Sequence, residues 1–300
     1  MEYDEYAQVK SDLLAAKETL LRGKVSGIES KMFDELVDKF INRLEGDKAL
    51  ANTKDNIAKL SQIDRLWDQF VKNEILPVIS TMVKGYNEIA TLNTIYYTSI
   101  IGDKVSENAE IVRVKTLERF GVTEKGDKVT LTKGGFLESF VTDTGLRNEV
   151  KQMTLKAIIS PTKSRQDFHK EVRTLIKGNK DLQGGFSKHF DTFAYDSFAQ
   201  FDRSLNTVLS KRVGLNNVIY AGGLIEDSRP FCVVRNGKVF TDEEVAKFGT
   251  IEDTFGGYDK KPHFNGKNRD YDPFIDLGGH RCRHTLNYIT DSFADRIRKR

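Results

Sequence analysis

The chain has 300 residues, 38% of them hydrophobic and 30% charged, and its formal net charge is +3 at pH 7. This length allows about two domains with a sizeable core, and so small a charge argues against a dedicated nucleic-acid-binding protein. No apolar run reaches the roughly 18 residues of a membrane span, and residues 1–5 lack the apolar region of a secretory signal. The two cysteines exclude a disulfide scaffold and indicate synthesis in a reducing cytoplasm.

Hydrophobic periodicity predicts a helical region over about residues 1–160. Apolar side chains at steps of three and four predict a first helix over 3–22 and a second over 33–44. Gly23 and Gly27 are predicted to break the chain between these two helices.

A third helix is predicted from Asp55 and is expected to end or kink at Pro77, which has no N–H and whose ring clashes with the preceding turn. Helix is predicted to resume over 78–101. Aromatic side chains at helical spacing usually fill a core or an interface. We assign this role to Trp67, Tyr96 and Tyr97.

Residues 108–135 predict a short helix followed by a small hairpin over 121–135. The apolar face of this helix is predicted from Ile111, Val114, Leu117 and Phe120. Helix, hairpin and renewed helix could form a winged DNA-binding unit. The weak local charge favours a connector hairpin instead.

Beyond a break at Pro161, Ser164 is predicted to cap a helix that Gly178 ends. The longest helix is predicted over 187–213. Its broad apolar face includes Phe190, Phe193, Phe198, Phe201 and Leu205.

Short strands are predicted over 215–219, 231–234 and 239–240. Asn236 and Gly237 form the strongest hairpin signal in the chain and are predicted to join the last two strands. The expected fold class is therefore α+β.

The predicted organisation has two parts. A mostly helical N-terminal region covers 1–160, and a small mixed α+β domain with short antiparallel strands covers 161–300. We find no internal repeat or low-complexity tract that would divide the chain further.

Two glycine-containing segments carry both cysteines and two of the five histidines. The first, residues 220–232, ends at Cys232. In the second, residues 276–286, side chains with period two would share one face of an extended strand. The simplest geometry places the segments side by side, so that Cys232 faces the row formed by His280, Cys282 and His284.

Three interpretations of these four residues remain open. Cys232, His280, Cys282 and His284 have the ligand types of a structural zinc site, although the C-x₂-C spacing of a zinc finger is absent. Alternatively, Cys232 and Cys282 form a disulfide after release from the cell. In the third interpretation they are two buried thiols, and the histidines form hydrogen bonds to loop backbone.

We expect no enzymatic activity and no cofactor other than that zinc ion. Glu226, Asp227 and Arg229, with the histidines, are the candidates for general acid–base catalysis. A phosphate-binding loop, a nucleophile elbow and a carboxylate pair are all missing beside them. The alternative function is a metal-dependent hydrolase or nuclease that uses the cysteine–histidine cluster.

Three motifs occur in a characteristic order: Arg229-x-x-Cys232, Gly237-Lys-x-Phe240 and His280-x-Cys282-Arg283. Over roughly residues 165–290 the chain resembles the phage Mu F-like minor head proteins, also called the phage head morphogenesis family. That family more often has a second cysteine where this chain has His284. The resemblance implies that six residues define the fold: Arg229, Cys232, Gly237, His280, Cys282 and Arg283. We assign the same role to the turn residues Gly222, Gly223 and Gly279.

The resemblance implies a virion structural protein in the capsid interior or at the portal vertex, made in the host cytoplasm. It would be present in several copies per particle and would aid head morphogenesis and DNA ejection. Its partners would be the portal, other head proteins and packaged DNA, with no membrane, and residues 1–160 would dock on them. A third hypothesis is a DNA-binding accessory protein that uses the 121–135 hairpin and the terminal cluster Arg296, Arg298, Lys299 and Arg300.

Overall fold

The structure is a computed structural model that describes residues 1–126, 128–135, 137–138, 145–160, 162–250, 252–253, 271–279 and 281–299. For residues 26 and 186–195 only the helical backbone is described, so the inward positions predicted for Phe190 and Phe193 lie outside the described side chains. Within these ranges no helix is both long and apolar enough to cross a membrane.

The predicted α+β class is confirmed, because helices dominate the N-terminal region and the strands are short and antiparallel. The helices are α1 (Tyr3–Lys39), α2 (Lys54–Lys59), α3 (Ser61–Phe70), α4 (Leu76–Ile101), α5 (Lys104–Arg119), α6 (Leu146–Ile159), α7 (Arg165–Lys177), α8 (Gly185–Val213), α9 (Pro230–Val233), α10 (Asp242–Val245) and α11 (Asp291–Arg298). The strands are β1 (Val122–Lys125), β2 (Lys128–Leu131), β3 (Asn217–Ala221), β4 (Val239–Thr241) and β5 (Thr285–Ile289).

The chain forms two compact units. The first unit combines Met1–Glu18, Val83–Thr130 and Ala194–Arg300, and the second combines Thr19–Met82 and Leu131–Phe193. The predicted division at residue 160 therefore falls inside the second unit. The units combine separate stretches of chain because α1, α4 and α8 each contribute residues to both.

Helix α1 is continuous through Gly23 and Gly27, so the predicted break there was wrong. A glycine inside a helix costs about 1 kcal/mol relative to alanine, and both of these glycines are exposed. The neighbouring side chains of Leu21, Val25 and Ile28 are 5% exposed or less. Burying such side chains stabilises by about 1.5–3 kcal/mol each, which outweighs the cost of the glycines.

The interruption predicted at Pro77 takes the form of a change in helix type. Val71–Ile75 forms a π-helical turn between α3 and α4. The wider turn accommodates a proline, which has no N–H and whose ring displaces the carbonyl four residues earlier. Trp67 of α3 is 5% exposed, and its predicted core position is confirmed.

In the second unit, Ser164 caps α7 as predicted, since its side chain accepts a hydrogen bond from the N–H of Asp167. Gly178 follows the last residue of the helix, also as predicted. The adjacent Arg165 guanidinium fixes the chain that leaves α1. It donates hydrogen bonds to the carbonyls of Ile41, Leu44 and Gly46.

In the first unit, β3 is the central strand of a sheet with the order β4-β3-β5 and is antiparallel to both neighbours. The register pairs Ile219 with Val239 on one side and with Asn287 on the other. Every residue of β5 is buried, so this strand is covered on both faces.

The strand predicted over 231–234 was wrong, because these residues belong to the short helix α9 and the turn that follows it. Pro230 presets φ for the first helical turn and has no N–H that would remain unpaired there. The carbonyl of Arg229 accepts hydrogen bonds from the N–H groups of Cys232 and Val233. These local bonds favour helix over strand.

The hairpin predicted at Asn236 and Gly237 was also wrong, since β4 pairs with β3 and not with the residues before the turn. Gly237 does adopt a left-handed conformation, with φ of 76°. Its N–H donates to the carbonyl of Tyr220 at 2.8 Å, and the N–H of Tyr220 donates to the carbonyl of Lys238 at 3.0 Å. The turn therefore extends the pairing between β3 and β4 as far as Tyr220.

Tyr96 and Tyr97 of α4 are buried as predicted, and they also close the outer edge of β5. The Tyr96 hydroxyl donates to the carbonyl of Tyr288 at 3.2 Å, and the Tyr97 hydroxyl accepts from the N–H of Tyr288 at 3.4 Å. Tyr97 in turn donates to Asn206 of α8 at 2.9 Å. These bonds satisfy backbone groups that strand pairing leaves open.

Strands β1 and β2 form the hairpin that the sequence predicts within residues 121–135. Arg113 of α5 fastens the hairpin to the helices of the first unit, because its guanidinium forms an ion pair with Glu124 of β1 and donates to Asn87 of α4 at 2.6 Å.

Helix α5 buries a different face from the one predicted. Leu117 and Phe120 are buried, but Ile111 is 46% exposed and Val114 39% exposed. The buried face is completed by Val105, Val112 and Thr116 instead.

Candidate metal centre

A buried cluster in the first unit contains Tyr220, Cys232, Cys282 and His284, and we call it the thiol–imidazole cluster. Strand β3 supplies Tyr220, α9 supplies Cys232, and the segment that leads into β5 supplies Cys282 and His284. The exposed fractions are 3% for Cys232, 1% for Cys282 and 3% for His284, and Tyr220 is fully buried. The cluster is therefore sealed from solvent.

The predicted row of His280, Cys282 and His284 is not a continuous strand. His280 lies outside the described residues. Arg281 has a φ of 53°, which an extended strand does not allow, and the N–H of Cys282 donates to the carbonyl of Gly279 at 3.0 Å in a turn. Cys282 and His284 still point the same way, with Sγ and Nδ1 3.8 Å apart.

The predicted approach of Cys232 to the second segment is confirmed, because its Sγ lies 3.8 Å from the Sγ of Cys282. A disulfide bond is about 2.05 Å long, so both residues are thiols here. The Tyr220 hydroxyl donates to Cys232 Sγ at 3.3 Å and lies 3.8 Å from Cys282 Sγ. The ring of Tyr220 stacks on the imidazole of His284, with centroids 4.8 Å apart.

Two glycines allow the backbone to reach the cluster. A Cβ on Gly278 would lie 2.5 Å from Cys232 Sγ and 3.1 Å from Cys282 Sγ. A Cβ on Gly222 would lie 2.9 Å from the Cδ2 atom of His284. A side chain at either position would displace cluster atoms, so the backbone packs directly against the sulfurs and the imidazole.

Arg203 of α8 fixes the backbone that carries Cys282 and His284. Its guanidinium, 2% exposed, donates to the Cys282 carbonyl at 2.6 Å and to the His284 carbonyl at 2.7 and 3.0 Å. A third carbonyl, of Ile275, accepts at 2.8 Å. The planar fork of donors on arginine suits such multiple recognition. The sequence gives no signal for it, because at about 100° per residue Arg203 lies away from the predicted apolar face of the long helix.

The two thiols of the cluster titrate as a pair. The hydrogen bond from Cys232 lowers the pKa of Cys282 well below that of an ordinary thiol, against the opposing effect of burial. The same bond, together with burial, raises the pKa of Cys232. Burial also raises the pKa of Tyr220, and the nearby thiols add to this effect. The pKa values of the two cysteines therefore shift in opposite directions, downward for Cys282 and upward for Cys232.

The residues predicted to define the fold differ in what they contact. Gly279 has a φ of 88°, which glycine adopts without strain. A Cβ on Gly223 would meet no atom within 4 Å. Arg229 is half-buried where α9 begins, and Arg283 is exposed. The backbone conformation gives a reason for glycine at 279, whereas nothing in the structure requires glycine at 223.

Arg235 is another buried arginine that the sequence pattern does not reveal. It is fully buried, forms an ion pair with Asp253 at 2.5 Å and donates to the Phe231 carbonyl at 2.7 Å. Its guanidinium also lies 3.9 Å from the ring centroid of Phe231 and 4.6 Å from that of Phe248. These contacts anchor α9, and with it Cys232, through cation–π and charge-assisted bonds.

A separate buried cluster, which we call the Lys10 network, joins α1, α4, α8 and β5 within the first unit. The Lys10 ammonium contacts Asp202 at 2.8 Å, Asn287 at 2.9 Å and Tyr6 at 3.0 Å. The ammonium thus has one ion-pair partner and two hydrogen-bond acceptors. The Asp202 carboxylate also accepts amide hydrogen bonds from Asn93 and Asn206.

Comparisons of the chain with protein-family models, with curated proteins and with solved structures find no match.

Proposed function

We propose that the chain is a structural and assembly component of a phage head, of the head morphogenesis class that its motifs resemble. In this proposal it lies in the virion near the portal, in several copies per particle. It contacts the portal, other head proteins and packaged DNA, and it aids head morphogenesis and DNA ejection.

The observation that carries the proposal is the place where the three motifs meet. The first motif supplies Cys232, 3.3 Å from the Tyr220 hydroxyl. The second supplies Gly237, which donates to the Tyr220 carbonyl, and the third supplies Cys282, 3.8 Å from the same hydroxyl. Motifs that share one buried residue support a common role in holding a fold together.

The proposed role is not catalytic. A catalytic metal site keeps an open coordination position for water or substrate, whereas the three ligand-type side chains of the cluster are 1–3% exposed. Glu226 and Asp227, the carboxylates considered for acid–base chemistry, are exposed in the segment between β3 and α9. This arrangement favours a structural role over the hydrolase or nuclease alternative.

The test is to locate the chain in purified particles of the phage that encodes it. We expect quantitative mass spectrometry to find it in full heads at low copy number relative to the major capsid protein. An abundant host protein measured in the same sample controls for contamination. Absence from full heads would contradict the proposal.

A nuclease assay tests the alternative. Purified chain supplied with Zn²⁺ and linear DNA is expected to leave the DNA intact. Cleavage that disappears in Cys282→Ser would favour the enzyme. DNA binding without cleavage, weakening as salt increases, would support packaged DNA as a partner.

A further inference from the structure

The spacing of the thiol–imidazole cluster matches the corners of a metal tetrahedron. Zinc–sulfur bonds of about 2.3 Å give a sulfur–sulfur edge of roughly 3.8 Å, and a zinc–nitrogen bond of about 2.0–2.1 Å gives a sulfur–nitrogen edge of roughly 3.5–3.6 Å. The observed values are 3.8 Å between the two Sγ atoms and 3.8 Å between Cys282 Sγ and His284 Nδ1. The ligand atoms of Cys232, Cys282 and His284 all lie within 4.8 Å of one another.

The fourth corner is next to Tyr220. A zinc–oxygen bond of about 2.0–2.2 Å implies oxygen–sulfur edges of roughly 3.5–3.7 Å. The Tyr220 hydroxyl lies 3.3 Å from Cys232 Sγ and 3.8 Å from Cys282 Sγ. The phenol oxygen therefore lies close to the distance that a fourth ligand would have from both sulfurs.

Hydrogen bonding does not account for the buried imidazole. His284 is 3% exposed, its Nδ1 faces a weakly accepting sulfur at 3.8 Å, and its Nε2 has no hydrogen-bond partner among the described residues. Burying an imidazole without strong partners is costly. Coordination of a metal by Nδ1 would supply the missing interaction on the side that faces the thiols.

The surroundings of the cluster hold its ligands in place. Arg203 binds the carbonyls of both Cys282 and His284, and Arg235 binds the carbonyl of Phe231 beside Cys232. Gly278 brings backbone against both sulfurs. Such supporting contacts orient metal ligands and raise affinity.

We propose that Cys232, Cys282 and His284 bind a single Zn²⁺ ion and that the Tyr220 hydroxyl fills the fourth coordination position. The site is closed, so the ion ties α9 to β3 and to the segment before β5. This inference goes beyond the proposed function and does not depend on the phage assignment, because it concerns only residues of this chain.

The first experiment measures metal in the full chain purified anaerobically under reducing conditions from cells grown with added zinc. We expect about one zinc ion per chain by elemental analysis and a lower melting temperature after treatment with a chelator. Protein without zinc that also fails to take up added Zn²⁺ would overturn the proposal. So would a Cys232–Cys282 disulfide in that preparation.

The second experiment needs no variant. Replacing the ion with Co²⁺ is expected to give the visible absorption of a tetrahedral site and a sulfur-to-cobalt charge-transfer band in the near ultraviolet. Weak octahedral absorption without the sulfur band would show that the thiols are not ligands, and the proposal would fail.

Variants then assign the ligands. Cys232→Ser, Cys282→Ser and His284→Ala are each expected to abolish stoichiometric Co²⁺ binding, whereas His169→Ala in the second unit is the matched control and should bind normally. Circular dichroism distinguishes loss of metal from loss of fold. A folded Cys282→Ser variant that still binds one ion with an unchanged sulfur band would overturn the assignment.

The fourth position is tested by Tyr220→Phe, which removes only the hydroxyl. We expect roughly 10–100-fold weaker zinc affinity, the range found when groups that support a metal site are removed. His280→Ala tests the other candidate. If affinity falls in His280→Ala and is unchanged in Tyr220→Phe, the Tyr220 assignment is wrong.

Discussion

The Lys10 network and the thiol–imidazole cluster are both buried in the first unit, but their polar groups are satisfied in different ways. In the network the Lys10 ammonium forms an ion pair with Asp202 and donates hydrogen bonds to Asn287 and Tyr6, all within 3.0 Å. In the cluster the contacts between sulfur and imidazole are 3.8 Å long, and one ring nitrogen of His284 has no partner in the described part of the chain. Ion-paired and hydrogen-bonded polar groups hold helices together, whereas the imidazole of the cluster keeps a buried ring nitrogen without a hydrogen-bond partner among the residues that the structure describes.

Alkaline pH is expected to have the largest effect on stability and to act through the buried tyrosines of the first unit. Burial raises the pKa of Tyr6 and of Tyr97, and that of Tyr3 to about 12. Because the folded chain keeps protons that the unfolded chain loses, the free energy of unfolding should fall as pH rises above about 10. Lys10 acts in the opposite direction, since burial lowers its pKa, but the tyrosines outnumber it.

Urea unfolding at a series of pH values from about 8 to 12 checks this expectation. A free energy of unfolding that rises above about pH 10 would mean that Lys10 dominates. In that case the Lys10 ammonium would be poorly stabilised by the oxygen atoms around it.

Removing one charge of the network is expected to have the next largest effect. Asp202→Ala leaves the Lys10 ammonium buried and unpaired, which should lower the free energy of unfolding by about 3–5 kcal/mol. Glu88→Gln is the matched control, because Glu88 pairs with Lys17 while its side chain is 53% exposed. That change should cost less than about 1 kcal/mol. If Asp202→Ala lowers the free energy of unfolding no more than the control does, the buried Lys10–Asp202 ion pair does not stabilise the fold as expected.

Arg203→Met tests whether backbone support of the cluster is energetically important. The change would remove a charged donor from the carbonyls of Ile275, Cys282 and His284. We expect the free energy of unfolding, measured in urea, to fall by about 2–4 kcal/mol. Arg281→Met is the matched control, because it replaces an exposed side chain next to Cys282. This change should alter the free energy of unfolding by less than about 0.5 kcal/mol. Equal effects would show that Arg203 contributes no more than a surface arginine.

Glycine substitutions test how tightly the thiol–imidazole cluster is packed. Gly278→Ala would place a methyl group 2.5 Å from Cys232 Sγ and should cost about 1–3 kcal/mol. The methyl group of Gly223→Ala would meet no atom within 4 Å. Its free energy of unfolding should therefore stay within about 0.5 kcal/mol of that of the original chain. Thermal unfolding of both variants checks the difference, and a neutral Gly278→Ala would show that the cluster is loosely packed.

The smallest effect is expected in the second unit, away from both clusters. Gly23→Ala and Gly27→Ala lie in α1 without nearby atoms and should each stabilise by about 0.5–1 kcal/mol. Gly46→Ala is the contrasting variant, because its φ of 111° and its close contact with the Ala49 carbonyl make a side chain unfavourable there. Destabilisation by Gly23→Ala would argue against a continuous α1.

The sequence predicts local features whose cause is local. The cap at Ser164 and the end of α7 at Gly178 depend on one or two neighbouring residues, and both are present. The continuity of α1 through Gly23 was missed because burial of distant partners, not propensity, decides it. The strand predicted at Val233 was wrong for a local reason, because Pro230 starts a helix there although a β-branched side chain suggests a strand.

The candidate site was predicted only in part, because only some of its residues have a distinctive side chain. Cys232, Cys282 and His284 were recognisable because their side chains are rare and chemically distinctive. Arg203 and Lys10 were not, because a lone charged residue on a helix has the same sequence signature whether it faces solvent or a buried carbonyl. Tyr220 stood inside a recognised motif, but an aromatic residue in a strand is ordinarily core.

The tyrosine pair on α4 limits how this chain can associate with others. Because the hydroxyls of Tyr96 and Tyr97 already occupy the carbonyl and the N–H of Tyr288, an incoming peptide has no backbone groups to pair with at that residue. A partner chain at this edge of β5 would therefore have to be recognised through side chains, and the edge is protected at Tyr288 from pairing with an added strand.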